Sequence, residues 1–247
     1  MIYFADRVIK PYLSEAGYRR ICEVGASFGE NTRKLLEVEA VSLVVVDPCL
    51  DTDLTRLQGG RVSVRRGLSL DELAAMDGPF DCMLLDGDHN WYTVYNELRL
   101  IDERALLRPG GTVFLHDVGW PYGRRDMYYQ PETIPPEFVQ PHAARGIVAG
   151  RSELSDTGGI NAERLNAAHE GGPRNGVLTA VEDFLRERPG KYRFLVVPEE
   201  HGLGVLHRRG SLRDALPWLR LYAARKQGWA WRGVRLALRT LAPPRRG

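Results

Sequence analysis

The sequence predicts an α/β protein with a doubly wound, seven-stranded, mainly parallel sheet whose last strand is antiparallel. Three observations lead there. Short β-rich apolar runs recur at 20–24, 43–47, 61–64, 81–86, 112–116, 193–197 and 204–207, helical patterns fill most of the intervals, and only Pro198-Glu199-Glu200-His201-Gly202 joins the last two runs. Strands alternating with helices indicate a parallel sheet covered on both faces, and a five-residue connection suits a hairpin.

The elements follow in order. The first run ends at Gly25 and turns through Ala26 to Thr32 into a helix carrying Leu35 and Leu36. Trp91, Val94, Leu98, Ile101 and Ala105 fall at helical spacing, and the pattern is expected to close at Arg108-Pro109-Gly110-Gly111. Asn175 is the expected N-cap of a helix with Val177, Val181, Phe184 and Leu185, closed by Pro189-Gly190. One segment breaks the rhythm. Residues 118–172 hold eight Gly and five Pro with no periodicity before about 161–169, which reads as a lid or binding insertion in a domain spanning 1–210.

At 247 residues, 43% of them apolar, the chain can bury a full core, which excludes a small disulfide scaffold or a disordered tail. No run of apolar residues is long enough to span a membrane, and the charged 1–10 segment does not read as a signal peptide, so a cytoplasmic protein is expected. Cys22, Cys49 and Cys82 are expected as reduced core residues. The net charge of +2 conceals an asymmetry: nine Lys/Arg and one Asp lie beyond residue 210, giving +8 there and −6 in the body.

Glycines in the first strand-to-helix turn let the backbone approach a ligand, and Asp47 at the end of the second run is placed to accept ribose hydroxyls. The Gly25-x-x-x-Gly29 spacing differs from the dinucleotide pattern. Taken with Leu84-Leu85-Asp86-Gly87-Asp88-His89 and Arg108-Pro109-Gly110-Gly111-Thr112, this ordered set resembles the class I S-adenosylmethionine-dependent methyltransferases across about residues 15–207. The resemblance implies the Rossmann-like fold of that family and S-adenosylmethionine as cofactor. It also implies cofactor contacts from Glu23, Gly25, Ala26, Ser27, Phe28, Gly29, Asn31, Thr32 and Asp86, with Asp47 on the ribose and Gly67, Leu68 and Ser69 bordering the adenine.

Two adjacent strands end in ligand-type residues: Asp86, Asp88 and His89 on one, His116 and Asp117 on the other. With neighbouring strands about 4.8 Å apart, Asp86 and Asp117 can converge on a divalent cation that would acidify an acceptor hydroxyl. This layout is similar to the metal-dependent small-molecule and sugar O-methyltransferases, including the cephalosporin-hydroxylase-like group. There the matching acids bind magnesium. His116 departs from the acidic or amide residue expected and admits a more imidazole-tolerant metal such as manganese, or a metal-free base. The expectation is therefore a metal set of Asp86, His116 and Asp117, with His89 or His116 taking the proton and Asp117 essential for turnover. Asp88 and His89 could instead only cap the following helix.

The insertion opens with aromatics among charges. Trp120, Tyr122, Arg124, Arg125, Tyr128 and Tyr129 are expected to face a sugar-like small-molecule acceptor. Residues 211–247 read as a basic appendage, with Trp231, Val234, Leu238 and Leu241 on one face of a helix spanning 229–241. Contact with the inner face of a membrane and packing against the acidic body or a second subunit are equal readings. Nucleic acid is not expected as a partner, because no basic groove accompanies the aromatics. The rival functions are a metal-independent N-methyltransferase of amino sugars, a non-catalytic membrane-docking scaffold and a glycosyltransferase suggested by Asp86-Gly87-Asp88.

Overall fold

Side chains that alternate between two apolar layers build the sheet of the computed structural model, which describes residues 1–49 and 59–226. Seven strands are arranged in the order β3-β2-β1-β4-β5-β10-β9: β1 (Arg20–Val24), β2 (Ser42–Val46), β3 (Val62–Arg65), β4 (Phe80–Leu85), β5 (Leu107–His116), β9 (Tyr192–Val197) and β10 (Leu203–Arg208). Strands β1 to β5 pair in parallel, and β10 runs antiparallel between β5 and β9. The antiparallel strand is therefore the last of the described strands and second from the sheet edge. Its short hairpin to β9 dictates that direction.

Alternation along the strands separates the core into two layers. Leu43, Val45, Cys82, Leu84, Phe114 and Val205 face the layer covered by the N-terminal helices, α3 (Glu30–Leu36) and α7 (Leu212–Lys226). Val24, Met83, Leu85, Val113 and Leu115 face the layer of α4 (Ser69–Ala74), α5 (Trp91–Glu103) and α6 (Val177–Glu187). The N-terminal cover comprises α1 (Ile2–Phe4), a π-helical turn (Ala5–Ile9) and α2 (Lys10–Ala16).

Four expectations change here. Helix α5 stops at Glu103, and Arg108-Pro109-Gly110-Gly111 belongs to β5; Ala105, at φ +52°, ends the helix before the proline is reached. Gly176 occupies the N-cap position of α6, while Asn175 is buried and bonds the insertion instead. Cys22 and Cys82 are buried, but Cys49 is exposed, because it lies beyond the end of β2. Residues 211–226 are not an appendage: Ala215, Trp218 and Leu221 of α7 are buried, Trp218 and Leu221 within the core layer. The expected 229–241 helix lies outside the described residues.

The 118–172 insertion is folded rather than open. It holds a small antiparallel sheet in the order β6-β8-β7, formed by β6 (Met127–Tyr128), β7 (His142–Ala144) and β8 (Leu165–Ala167). Backbone bonds from Met127 N to His89 O (3.1 Å) and from Gly119 N to His201 O (2.7 Å) fasten it over the carboxyl end of the large sheet.

Candidate active site

Gly25 sits at φ +81°, and a Cβ there would lie 2.4 Å from the backbone of Asp86 and Gly87. Only glycine lets the β1 turn nest against the end of β4 in this way. Gly29, at φ +75°, starts α3. Beneath the turn, the Glu23 carboxylate accepts from Asn31 Nδ2 (2.7 Å) and Thr32 Oγ1 (2.6 Å), and burial raises its pKa to about 7 in spite of both bonds. These three residues, expected to touch a cofactor, brace the turn through bonds to one another. Asp47 accepts from Ala26 N (2.8 Å) and Ser27 N (2.9 Å) on Oδ2 and from Cys49 N (2.8 Å) on Oδ1, so it clamps the same turn. Phe28 stands 67% exposed at the turn's tip. A nucleoside-type cofactor fits this cradle: the backbone is stripped of Cβ atoms where strand ends meet, and an acid closes its far side. Along the expected adenine border, Gly67 abuts the Glu72 side chain, Leu68 is half-exposed and caps α4, and the Ser69 side chain bonds buried Glu97.

The reaction site lies at the adjoining ends of β4 and β5. His116 Nδ1 is 3.1 Å from Asp86 Oδ1 and 3.4 Å from Asp117 Oδ1, and His89 Nδ1 is 3.1 Å from Asp117 Oδ2. The Met1 amino group lies 2.9 Å from Asp86 Oδ2. Burial works against the charged His116 ring, but the bonds and charges of Asp117 and Asp86 prevail and raise its pKa to about 9. Burial likewise opposes the Asp86 charge, yet His116, the Met1 amino group and His89 bring it down to about 2. Asp117 is lowered in the same way, by His116 and His89 against burial. The two carboxylates at Nδ1 therefore favour the imidazolium form of His116 over the neutral ring that a general base needs.

His89 is differently placed. Its Nδ1 faces Asp117, its ring stacks on Tyr122 at 5.8 Å and 20°, and Tyr129 lies 6.2 Å away. A carboxylate on Nδ1 fixes the tautomer that leaves Nε2 as a proton acceptor. The capping alternative applies to its neighbours: Asn90 caps α5 by accepting from Thr93 N (2.8 Å), and Asp88 accepts from His89 N (3.0 Å) and Thr93 Oγ1 (3.0 Å).

Asp86, His116 and Asp117 do come together, but not as a cation shell. Among the described residues no group of three or more His, Cys, Asp or Glu side chains is arranged to hold a metal ion. Three of the four carboxylate oxygens that a divalent ion would need already face nitrogens, Met1 N and His116 Nδ1 on Asp86 and His89 Nδ1 on Asp117 Oδ2; only Asp117 Oδ1 is buried without a hydrogen-bond partner. The expected metal set does not fit here.

The expected acceptor residues divide. Trp120 (38% exposed) and Tyr129 (51%) stay open to solvent. Arg125 is buried and donates to Ala167 O and Ser152 O; Tyr128 is buried with its hydroxyl on Asp126 (2.8 Å). Arg124 pairs with Glu182 on α6 at 2.6 Å, and buried Tyr122 accepts from Asn161 Nδ2 (2.7 Å). Arg124, Arg125 and Tyr128 pin the insertion through these protein partners.

Sequence reasoning missed several parts of the site. Phe4 lies edge-on to His116 at 6.1 Å, and His201 lies 6.2 Å from the same ring. Neither has a motif: one comes from an N-terminal helix, the other from the β9–β10 hairpin. Asp126, at the heart of the insertion, accepts from Trp91 N (2.7 Å), Gly176 N (2.6 Å) and Tyr128.

Residues 22–118 match the family model described as a methyltransferase domain. No curated protein matches the chain. Among solved structures, the chain is similar to the S-adenosylhomocysteine-bound methyltransferase PaMTH1 of Podospora anserina, at 16% identity and TM-score 0.51, covering 82% of this chain and 77% of that one. It also resembles a Staphylococcus aureus protein provisionally described as a caffeoyl-CoA O-methyltransferase, at 13% identity and TM-score 0.50, covering 81% and 80%. The O-methyltransferase TomG of Streptomyces achromogenes, involved in tomaymycin synthesis and solved with S-adenosylmethionine, is 16% identical at TM-score 0.49, covering 83% and 80%.

Proposed function

We propose that this chain is an S-adenosylmethionine-dependent class I methyltransferase that delivers the methyl group to a hydroxyl of a small, polar, ring-bearing acceptor such as a sugar. The observation that carries the acceptor half is the His89–Asp117 pair, 3.1 Å apart beyond the carboxyl ends of β4 and β5. The bound cofactor supplies an electrophilic methyl on a sulfonium, and an oxygen nucleophile needs a base to match it.

The chain's own residues divide the work. Gly25 to Gly29, braced by Glu23 and clamped by Asp47, form the cradle for the cofactor. Asp117 orients His89, and His89 Nε2 takes the hydroxyl proton as the oxygen attacks. Held between Asp86 and Asp117, the His116 ring keeps the two carboxylates apart and ionised. Exposed Trp120 and Tyr129 offer ring faces to the acceptor. No divalent ion enters this reading, because the donor set does not fit one.

Calorimetric titration with S-adenosylhomocysteine, followed by acceptor screening with and without chelator, tests it. Binding, and turnover of hydroxyl acceptors that chelator leaves unchanged, are expected. Absence of S-adenosylhomocysteine binding would overturn the enzyme reading. Strict dependence on a divalent ion would overturn the His89 mechanism, and turnover of amines alone would transfer the assignment to N-methylation.

A further inference from the structure

The outer wall of the acceptor site carries a cation that the reaction itself does not use. In the small sheet Tyr128 pairs with Leu165, so continuation of the antiparallel register sets Tyr129 opposite Arg164. The Arg164 guanidinium lies over the Tyr129 ring, 5.3 Å from its centroid, and the other neighbour of that ring is His89. The position is built, not incidental. Arg164 N donates to Asn161 O (3.1 Å), Asn166 Nδ2 donates to the same oxygen (2.8 Å), and Asn161 Nδ2 holds the hydroxyl of Tyr122, the ring stacked on His89. Among the described residues, the one ion pair of Arg164 is with its own chain neighbour Glu163, 3.5 Å from Nε, and both side chains are well exposed.

We propose that Arg164, presented across Tyr129, selects hydroxyl acceptors that also carry an anionic oxygen group, a carboxylate or phosphate, at the end remote from the reacting hydroxyl. A planar guanidinium anchored by stacking retains its donor fork for such an anion, and little freedom remains to be lost on binding. The cation also offsets Asp86, Asp88 and Asp117, which would otherwise repel an anionic acceptor from this end of the sheet; all three act electrostatically on the Tyr129 ring. Arg164 is in this sense a specificity residue, and its role rests on the acceptor reading given above.

The test uses the full chain saturated with S-adenosylhomocysteine and a matched pair of probes, 3,4-dihydroxybenzoate and its neutral methyl ester, titrated by calorimetry. The acid is expected to bind about tenfold more tightly than the ester. R164Q should bring the ratio to about one, R164K should restore part of it, and neither should change S-adenosylhomocysteine affinity. A cross-strand pair that only ties the small sheet would lower the melting temperature of R164Q and leave the ratio unchanged, which would overturn the proposal. Equal binding of both probes by the wild type, or binding of neither, would overturn it as well. Failure of S-adenosylhomocysteine itself to bind would overturn the methyltransferase mechanism instead, so the two failures are distinguishable.

Discussion

Asp117 sits at φ +58°, a conformation that a non-glycine side chain holds only when its surroundings over-determine it. Here His89 Nδ1 lies 3.1 Å from Oδ2 and His116 Nδ1 lies 3.4 Å from Oδ1, and the bend turns the chain from β5 into the insertion. His89 and His116 illustrate how residue type and position part company. Both are candidates for the base, but Nδ1 of His116 lies between two carboxylates, which favour its protonated form, whereas Nδ1 of His89 faces one. Replacing His89 with Gln should lower kcat by about 10²–10⁴-fold, as for loss of a general base, and leave S-adenosylhomocysteine affinity within about threefold. Kinetics and calorimetry on the same preparation check both halves. Asp117→Asn should also lose most turnover, because an amide can present its NH₂ to Nδ1 and invert the tautomer.

Among elements, the β1–α3 turn was the most legible and the insertion the least. Gly25 and Gly29 announce a turn that needs positive φ, and Gly25→Ala should abolish S-adenosylhomocysteine binding, because the added Cβ would fall 2.4 Å from backbone that has no room to yield. Calorimetry on that variant, with circular dichroism to follow folding, is the check. The sequence shows the insertion only as a lid or binding element, because strands of two or three residues leave no periodicity. What orders it is Asp126, a single buried carboxylate serving two amides and a hydroxyl, with burial raising its pKa to about 6 against those bonds. Asp126→Ala would strand these donors and the N-termini of α5 and α6 that it joins. A loss of about 3 kcal/mol is expected, at roughly 1–3 kcal/mol for each stranded group, measurable by urea unfolding.

For the whole molecule, buried ionisable groups predict an alkaline weakness. Burial raises Glu23 to about 7 and Glu97 to about 8, from 4.5, and partner carboxylates raise His116 against burial to about 9, from 6.5. Each has a folded-state pKa above its unfolded value, so its stabilisation is complete below the unfolded value and is lost as pH climbs through the folded one. The melting temperature should therefore be lower at pH 9 than at pH 6, by about 5 °C or more for a domain of this size. An unchanged or rising value in a scan at constant ionic strength would contradict these assignments. Seven apolar runs, the glycine turn and the acids at strand ends determined the fold class and the end of the sheet where chemistry occurs, because periodicity and backbone conformation are local properties that the residue order carries directly. Which histidine lies between two carboxylates and which faces one, whether three ligand-type side chains form a cation shell or an ion network, and which insertion residues face outward were decided only by tertiary structure. Those outcomes depend on distances between groups far apart in sequence, Met1 and Asp86, His89 and Asp117, Tyr129 and Arg164, and on the burial that sets how strongly each pair interacts.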